Sequence, residues 1–140
     1  MVMELTKKDR FYHGAATVEA ALVFPLLLTL TLGVIEYGWL FLKSQQITNA
    51  SRQAARVAIR PASGNADAIA VVDSLMAAAG LGDSGYAIEI SPIDISGIEA
   101  GEVLTVHVSV PAANVALMNV PLLPMPENLG AAVTMSKEGP

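Results

Sequence analysis

The sequence predicts an α+β fold: a long N-terminal helix, transmembrane in its first half and amphipathic in its second, then a short helix and a small three-stranded antiparallel sheet. Three observations predict it. From Ala20 to Leu42 the only charge is Glu36. Residues 43–60 continue in helix formers, with apolar and basic residues on opposite faces. Beyond them come two clear runs of alternating apolar and polar residues and a weaker third.

The apolar run decides the class of the chain. Its 23 residues would extend about 35 Å as a helix, enough for a bilayer core of about 30 Å. The basic residues Lys7, Lys8 and Arg10 precede it, as in a secretory signal, but the apolar part of such a signal runs only about 7–15 residues. The run therefore reads as a membrane-spanning helix. At 140 residues the chain has room for one domain, too little to wrap so apolar a helix on all sides. Lys/Arg residues flank the run on both sides, so their count alone does not orient it. From Pro61 onward there is one Lys/Arg, Lys137, against nine Asp/Glu, a net charge of −8. This acidic remainder is the natural part to export.

Within the run, Pro25 removes one backbone hydrogen bond and is expected to kink the helix. Thr29, Thr31, Gly33 and Gly38 are small residues suited to contact with another helix. In the stretch 43–60, Ile47, Ala50, Ala54, Val57 and Ala58 share one face, and Arg52, Arg56 and Arg60 share the other. Pro61 then ends the helix. One continuous helix from about residue 17 to about residue 60 is expected.

A loop, "PASGNAD", leads to a second helix over 66–79, with Asn65 as its cap, Asp67 favourable at its positive end and Gly80 placed to terminate it. Its apolar stripe is Ile69, Val72, Leu75, Met76 and Ala79. In "YAIEI", Tyr86, Ile88 and Ile90 point one way. In "EVLTVHVSV", Leu104, Val106, Val108 and Val110 share a face against Thr105, His107 and Ser109. "GAAVTMS" is the third strand. Between the last two lies an apolar loop, 111–128, "PAANVALMNVPLLPMPEN", with four prolines; it either packs on the long helix or contacts a partner. About 80 residues bury only a modest core, so the long helix is expected to belong to it.

Catalytic chemistry finds no support. There are no cysteines, hence no thiolate metal site and no cysteine nucleophile. His13 and His107 stand apart from other ligand-type residues, and no phosphate loop or nucleophile motif occurs. No catalytic, metal or cofactor-binding residue is expected, and no small-molecule substrate. A net charge of −5 argues against nucleic acid.

Glu19 at the lip of the apolar run has a plain physical explanation, since a carboxylate in a first helical turn favours the positive end of the dipole. The pattern as a whole goes further. A basic head, Gly14, Ala15-Ala16-Thr17-Val18, then Glu19 and an apolar helix resemble a type IV prepilin signal. More closely, "GAATVEAALVFPLLLTLTLGVIEYG" and the following "NASRQAARVA" resemble the TadE-like family of tight-adherence (Flp) pilus systems, over residues 14–60. An aromatic residue usually follows the glutamate in that class; here it is Ala20.

The resemblance implies a pilin-like fold and a non-enzymatic minor pilin or pseudopilin. It implies a cytoplasmic leader 1–14 cut between Gly14 and Ala15, a transmembrane helix 15–42, an amphipathic continuation 43–60 and an exported α+β domain 61–140. The cytoplasmic membrane of a bacterium, with the N-terminus inside, is the implied location. Implied partners are the prepilin peptidase, the inner-membrane assembly platform, the major pilin, a sister pseudopilin and the lipid bilayer. Glu19 would meet the new amine of an adjacent subunit, because a carboxylate in lipid is favourable only when paired. Glu36 reads either as an interfacial acid beside Tyr37 and Trp39 or as a partner for a basic group of another subunit, with Arg52, Arg56 and Arg60 as candidates. The alternative to a pilin subunit is an uncleaved single-pass protein presenting a small extracytoplasmic binding domain.

Overall fold

A computed structural model describes residues 6–119 and 123–139. The head of the expected leader (1–5), residues 120–122 of the proline-rich loop and Pro140 lie outside the described residues, as do the side chains of residues 6–13. The elements are α1 (Thr6–Ala58), α2 (Asn65–Ala78), β1 (Ala87–Ser91), β2 (Val103–Pro111), a four-residue α3 (Ala112–Val115) and β3 (Asn128–Ser136). The chain forms two compact units, Met1–Ile35 and Glu36–Pro140.

In the first unit, α1 begins at Thr6, well before the expected Thr17. No proline stands between Thr6 and Thr17, so nothing breaks helix propagation toward the N-terminus. The helix runs through Pro25. The hydroxyls of Thr29 and Thr31 donate to the carbonyls of Pro25 and Leu27 at 2.9 and 2.8 Å, turning their polar atoms back onto the helix. Leu22, Phe24, Leu26 and Leu30 are exposed, and the apolar stretch is long enough to cross a membrane.

In the second unit, the α1 residues Glu36, Leu40, Lys43, Ile47, Ala50, Ala54 and Ala58 are buried in steps of four and three, the spacing of one helical face. Three of the seven are Ala, and Ala55 and Ser51 are buried beside them. Small residues there let the helix approach the sheet closely. The sheet has the order β1-β2-β3, antiparallel throughout. Ile88 opposes Val108, and Val108 opposes Ala131. Leu104, Val106, Val108 and Val110 of β2 are fully buried, each worth about 1.5–3 kcal/mol against exposure. Ile88 and Ile90 of β1, and Leu129, Val133 and Met135 of β3, flank them half-buried. Val72 and Met76 of α2 close the core. The expected alternation on both clear strands is the alternation observed.

The start of α2 differs from expectation. Gly64, not Asn65, is its N-cap. Asp67 accepts the Gly64 amide at 2.9 Å, which satisfies the chain at the helix start. Asn65 is thereby free to clamp the loop before β2: its amide donates to the Ile93 carbonyl, and its oxygen accepts the Ile95 N–H at 3.1 Å. Gly80 ends α2 at φ +68°, as expected of a helix-terminating glycine. At the far end of α1, Lys137 Nζ donates to the Ala58 carbonyl at 3.0 Å and the Glu138 amide to the Ile59 carbonyl at 2.9 Å. A cation thus sits on the negative end of the helix dipole.

Candidate functional site

Two places on α1 carry the residues singled out by sequence. The first lies around Gly14 and Glu19. Gly14, Ala15 and Glu19 are all helical and exposed. Nothing approaches within 4 Å of where a Gly14 Cβ would stand. Among the described residues Glu19 has no hydrogen bond or ion pair. Its carboxylate is available to a second molecule.

The second place is built on residues 36–43, where α1 meets the proline-rich loop. Glu36 is fully buried. Its two carboxylate oxygens accept the backbone amides of Leu117 and Met118 at 2.9 and 2.8 Å. What meets this acid is therefore the chain's own backbone, and among the described residues no basic group pairs with it. A buried carboxylate is expensive unless hydrogen-bonded, and two N–H donors to an ionised acceptor are strong bonds. One turn on, the Trp39 indole N–H donates to the Val115 carbonyl at 2.8 Å, and the Tyr37 hydroxyl donates to the Pro124 carbonyl. The loop is thus fastened to the helix at four backbone groups, which answers the open question of what it packs on.

Lys43 completes this surface. It is nearly buried. Its ammonium donates to the Ala79 carbonyl at 2.8 Å and lies 4.8 Å from the centre of the Trp39 ring, a favourable cation–π distance. Among the described residues no carboxylate pairs with it. Trp39, Lys43, Leu81, Asp83, Ser84, Asn114 and Leu117 border an open cleft of about 650 Å³.

Arg52 and Arg56 are exposed on the face of α1 turned away from the buried stripe, Arg60 is exposed in the turn just past the end of α1 at Ala58, and none makes an ion pair among the described residues. They do not meet Glu36 within the chain. On the outer sheet face His107 is not alone: its Nδ1 lies 3.3 Å from Glu89 Oε2, directly across β1 and β2. Tyr86 donates to Asp73 at 2.6 Å. That bond, then the loss of solvent and the negative charge of Asp73, raise the Tyr86 phenol above its ordinary value. The Asp94 carboxyl is held below its ordinary value by the hydroxyl and amide of Ser96. Among the described residues no group of His, Asp and Glu could hold a metal ion.

The loop clamp and Lys43 were missed by sequence reasoning, although a signal existed. Glu36, Leu40 and Lys43 precede Ile47 at steps of four, three and four, so the apolar face of the amphipathic half extends back to Glu36.

No curated protein and no solved structure matches the chain. Over residues 14–56, the span that carries Gly14, Glu19, Glu36 and two of the three arginines, the chain matches the model of the TadE-like protein family, the family its opening motifs resemble.

Proposed function

We propose that this chain is a non-enzymatic minor pilin or pseudopilin of a tight-adherence pilus system, held in the bacterial inner membrane by α1 with its head cytoplasmic and its α+β domain exported. The observation that carries the reading is the exposed, unpartnered Glu19, five residues after Gly14 at the start of an exposed apolar helix that matches the TadE-like family. In hydrocarbon such a carboxylate needs a cation. The amine released by cleavage between Gly14 and Ala15 supplies one, on a neighbouring subunit or on the major pilin.

The arginine stripe serves the same assembly. Arg52, Arg56 and Arg60 are exposed and unpaired within the described chain, while the residues from Pro61 onward carry a net charge of −8. Opposite patches of two subunits, or of this chain and a sister pseudopilin, steer each other into register. Glu36 contributes by fixing the loop. The prepilin peptidase acts on the leader, and the inner-membrane platform receives the processed chain.

The test is the mature N-terminus together with pilus output. Mass spectrometry of the membrane-associated chain should find Ala15 first. Glu19→Ala should leave membrane insertion intact and reduce surface pili. An N-terminus at Met1 or Val2, with normal pilus output from the variant, would instead leave a single-pass protein that presents a binding domain.

A further inference from the structure

The loop fastened to Glu36 places apolar side chains outward. Leu117 is 49% exposed and Met118 39% exposed, although their amides are tied to a fully buried carboxylate. At the same level of α1, Phe41 is 66% exposed and Leu42 is also exposed. Exposed apolar side chains of this kind mark an interaction surface. From Pro111 to Pro126 the loop carries no charged residue, and Glu127 follows it directly.

The depth of this patch is set by the residue that holds it. Glu36 is the only charge between Ala20 and Leu42, and it precedes Lys43 by seven residues, or about 10 Å along the helix. The loop amides it binds are therefore brought below the level of Lys43, alongside the outer end of the apolar run. In a hydrocarbon boundary an unpaired carboxylate is costly, and so are unpaired backbone N–H groups. Here each removes the other's cost. Tyr37 and Trp39, the residue types of an interfacial belt, secure two more loop carbonyls at the same level. These four backbone groups are satisfied in the manner required of a segment that leaves water.

We propose that the loop is a second membrane contact: Leu117 and Met118 rest in the headgroup–acyl boundary of the bilayer beside the outer end of the apolar run, with Glu36 accepting the loop's N–H groups at that depth. The proposal rests on the membrane-anchored reading of α1. The domain is then held at two points against the lipid surface, by its helix and by its loop.

The chain has no cysteine, so single-cysteine variants of the full chain can each carry one environment-sensitive fluorophore in nanodiscs of phosphatidylethanolamine and phosphatidylglycerol. The sites are Leu28→Cys in the apolar run, Met118→Cys in the loop and Ala132→Cys on the exposed outer face of the sheet. Met118→Cys should emit blue-shifted relative to Ala132→Cys. It should be quenched by lipids brominated near the headgroup more than by lipids brominated near the chain terminus. Adding Glu36→Ala should shift the Met118→Cys emission back to the red while Leu28→Cys keeps its apolar emission. If Met118→Cys reads water while Leu28→Cys reads hydrocarbon, the loop contact is wrong and the anchor stands. If Leu28→Cys reads water, the anchor fails and the loop contact with it. If Met118→Cys loses water only when a protein from the pilus assembly is added, the patch is a protein interface and the lipid proposal is overturned.

Discussion

The Glu36 carboxylate holds the Met118 amide at 2.8 Å, 82 residues away in sequence, with the Leu117 amide on its other oxygen. Replacing Glu36 leaves two loop amides without their acceptor, and each unsatisfied donor costs about 1–3 kcal/mol where water is excluded. Glu36→Ala should destabilise the domain by about 2–4 kcal/mol. Glu36→Gln keeps one acceptor and should cost less. Denaturant unfolding of the full chain in detergent, followed by the fluorescence of its single tryptophan, Trp39, reads both. Equal stability of the Ala variant and the parent would remove the clamp from the account.

Lys43 should matter through its head rather than its stem. Lys43→Met keeps most of the side-chain volume but strips the Ala79 carbonyl of its donor and the Trp39 ring of its cation. A loss of about 1–2 kcal/mol is expected, seen as a lower unfolding midpoint with an unchanged slope. A variant more stable than the parent would show that desolvating the ammonium outweighs its bonds.

The alanines of α1 leave no room for larger side chains. Ala54 and Ala58 are fully buried. Ala54→Leu should cost about 1–3 kcal/mol by overpacking. On the opposite wall Leu104→Ala should cost about 2–5 kcal/mol by leaving a cavity. Both are read from unfolding midpoints, and the Arg56→Ala variant, altering an exposed residue, serves as the neutral comparison at within about 0.5 kcal/mol.

Tyr86 predicts a response to alkali. Its phenol is raised by the bond to Asp73, so the folded state holds this proton more tightly than the unfolded chain does. The stabilisation is complete below the ordinary phenol value of about 10 and is lost as pH rises through the higher folded value. Tyr86→Phe should flatten the fall in stability above about pH 10 and change nothing in its slope at neutral pH. A parallel fall in both proteins would exclude this pair as a cause.

The strands and helices were legible because their patterns are local. Leu104, Val106, Val108 and Val110 alternate without interruption, and one face of residues 47–58 is visibly apolar. The loop clamp was less legible. Gly14 and Glu19 are singled out by their resemblance to a prepilin signal, whereas the Glu36 clamp depends on a contact with a loop 81 and 82 residues away. No periodicity encodes such a contact. A polar residue within an apolar face says that a partner is needed, but not which one. Asn65 shows the same limit at the start of α2: its residue type suited a cap, yet Gly64 took that place and the side chain went to Ile93 and Ile95.

The outer half of α1 is a wall of the domain's own core, and Lys137 and Glu138 fasten the end of the chain to its last carbonyls. A protease that nicked the link between Arg60 and Gly64 would therefore release no soluble lobe. The fragment either stays clasped to its anchor or leaves with the valines of β2 bare. The lobe and the second half of α1 are one folded body, and neither keeps its core without the other.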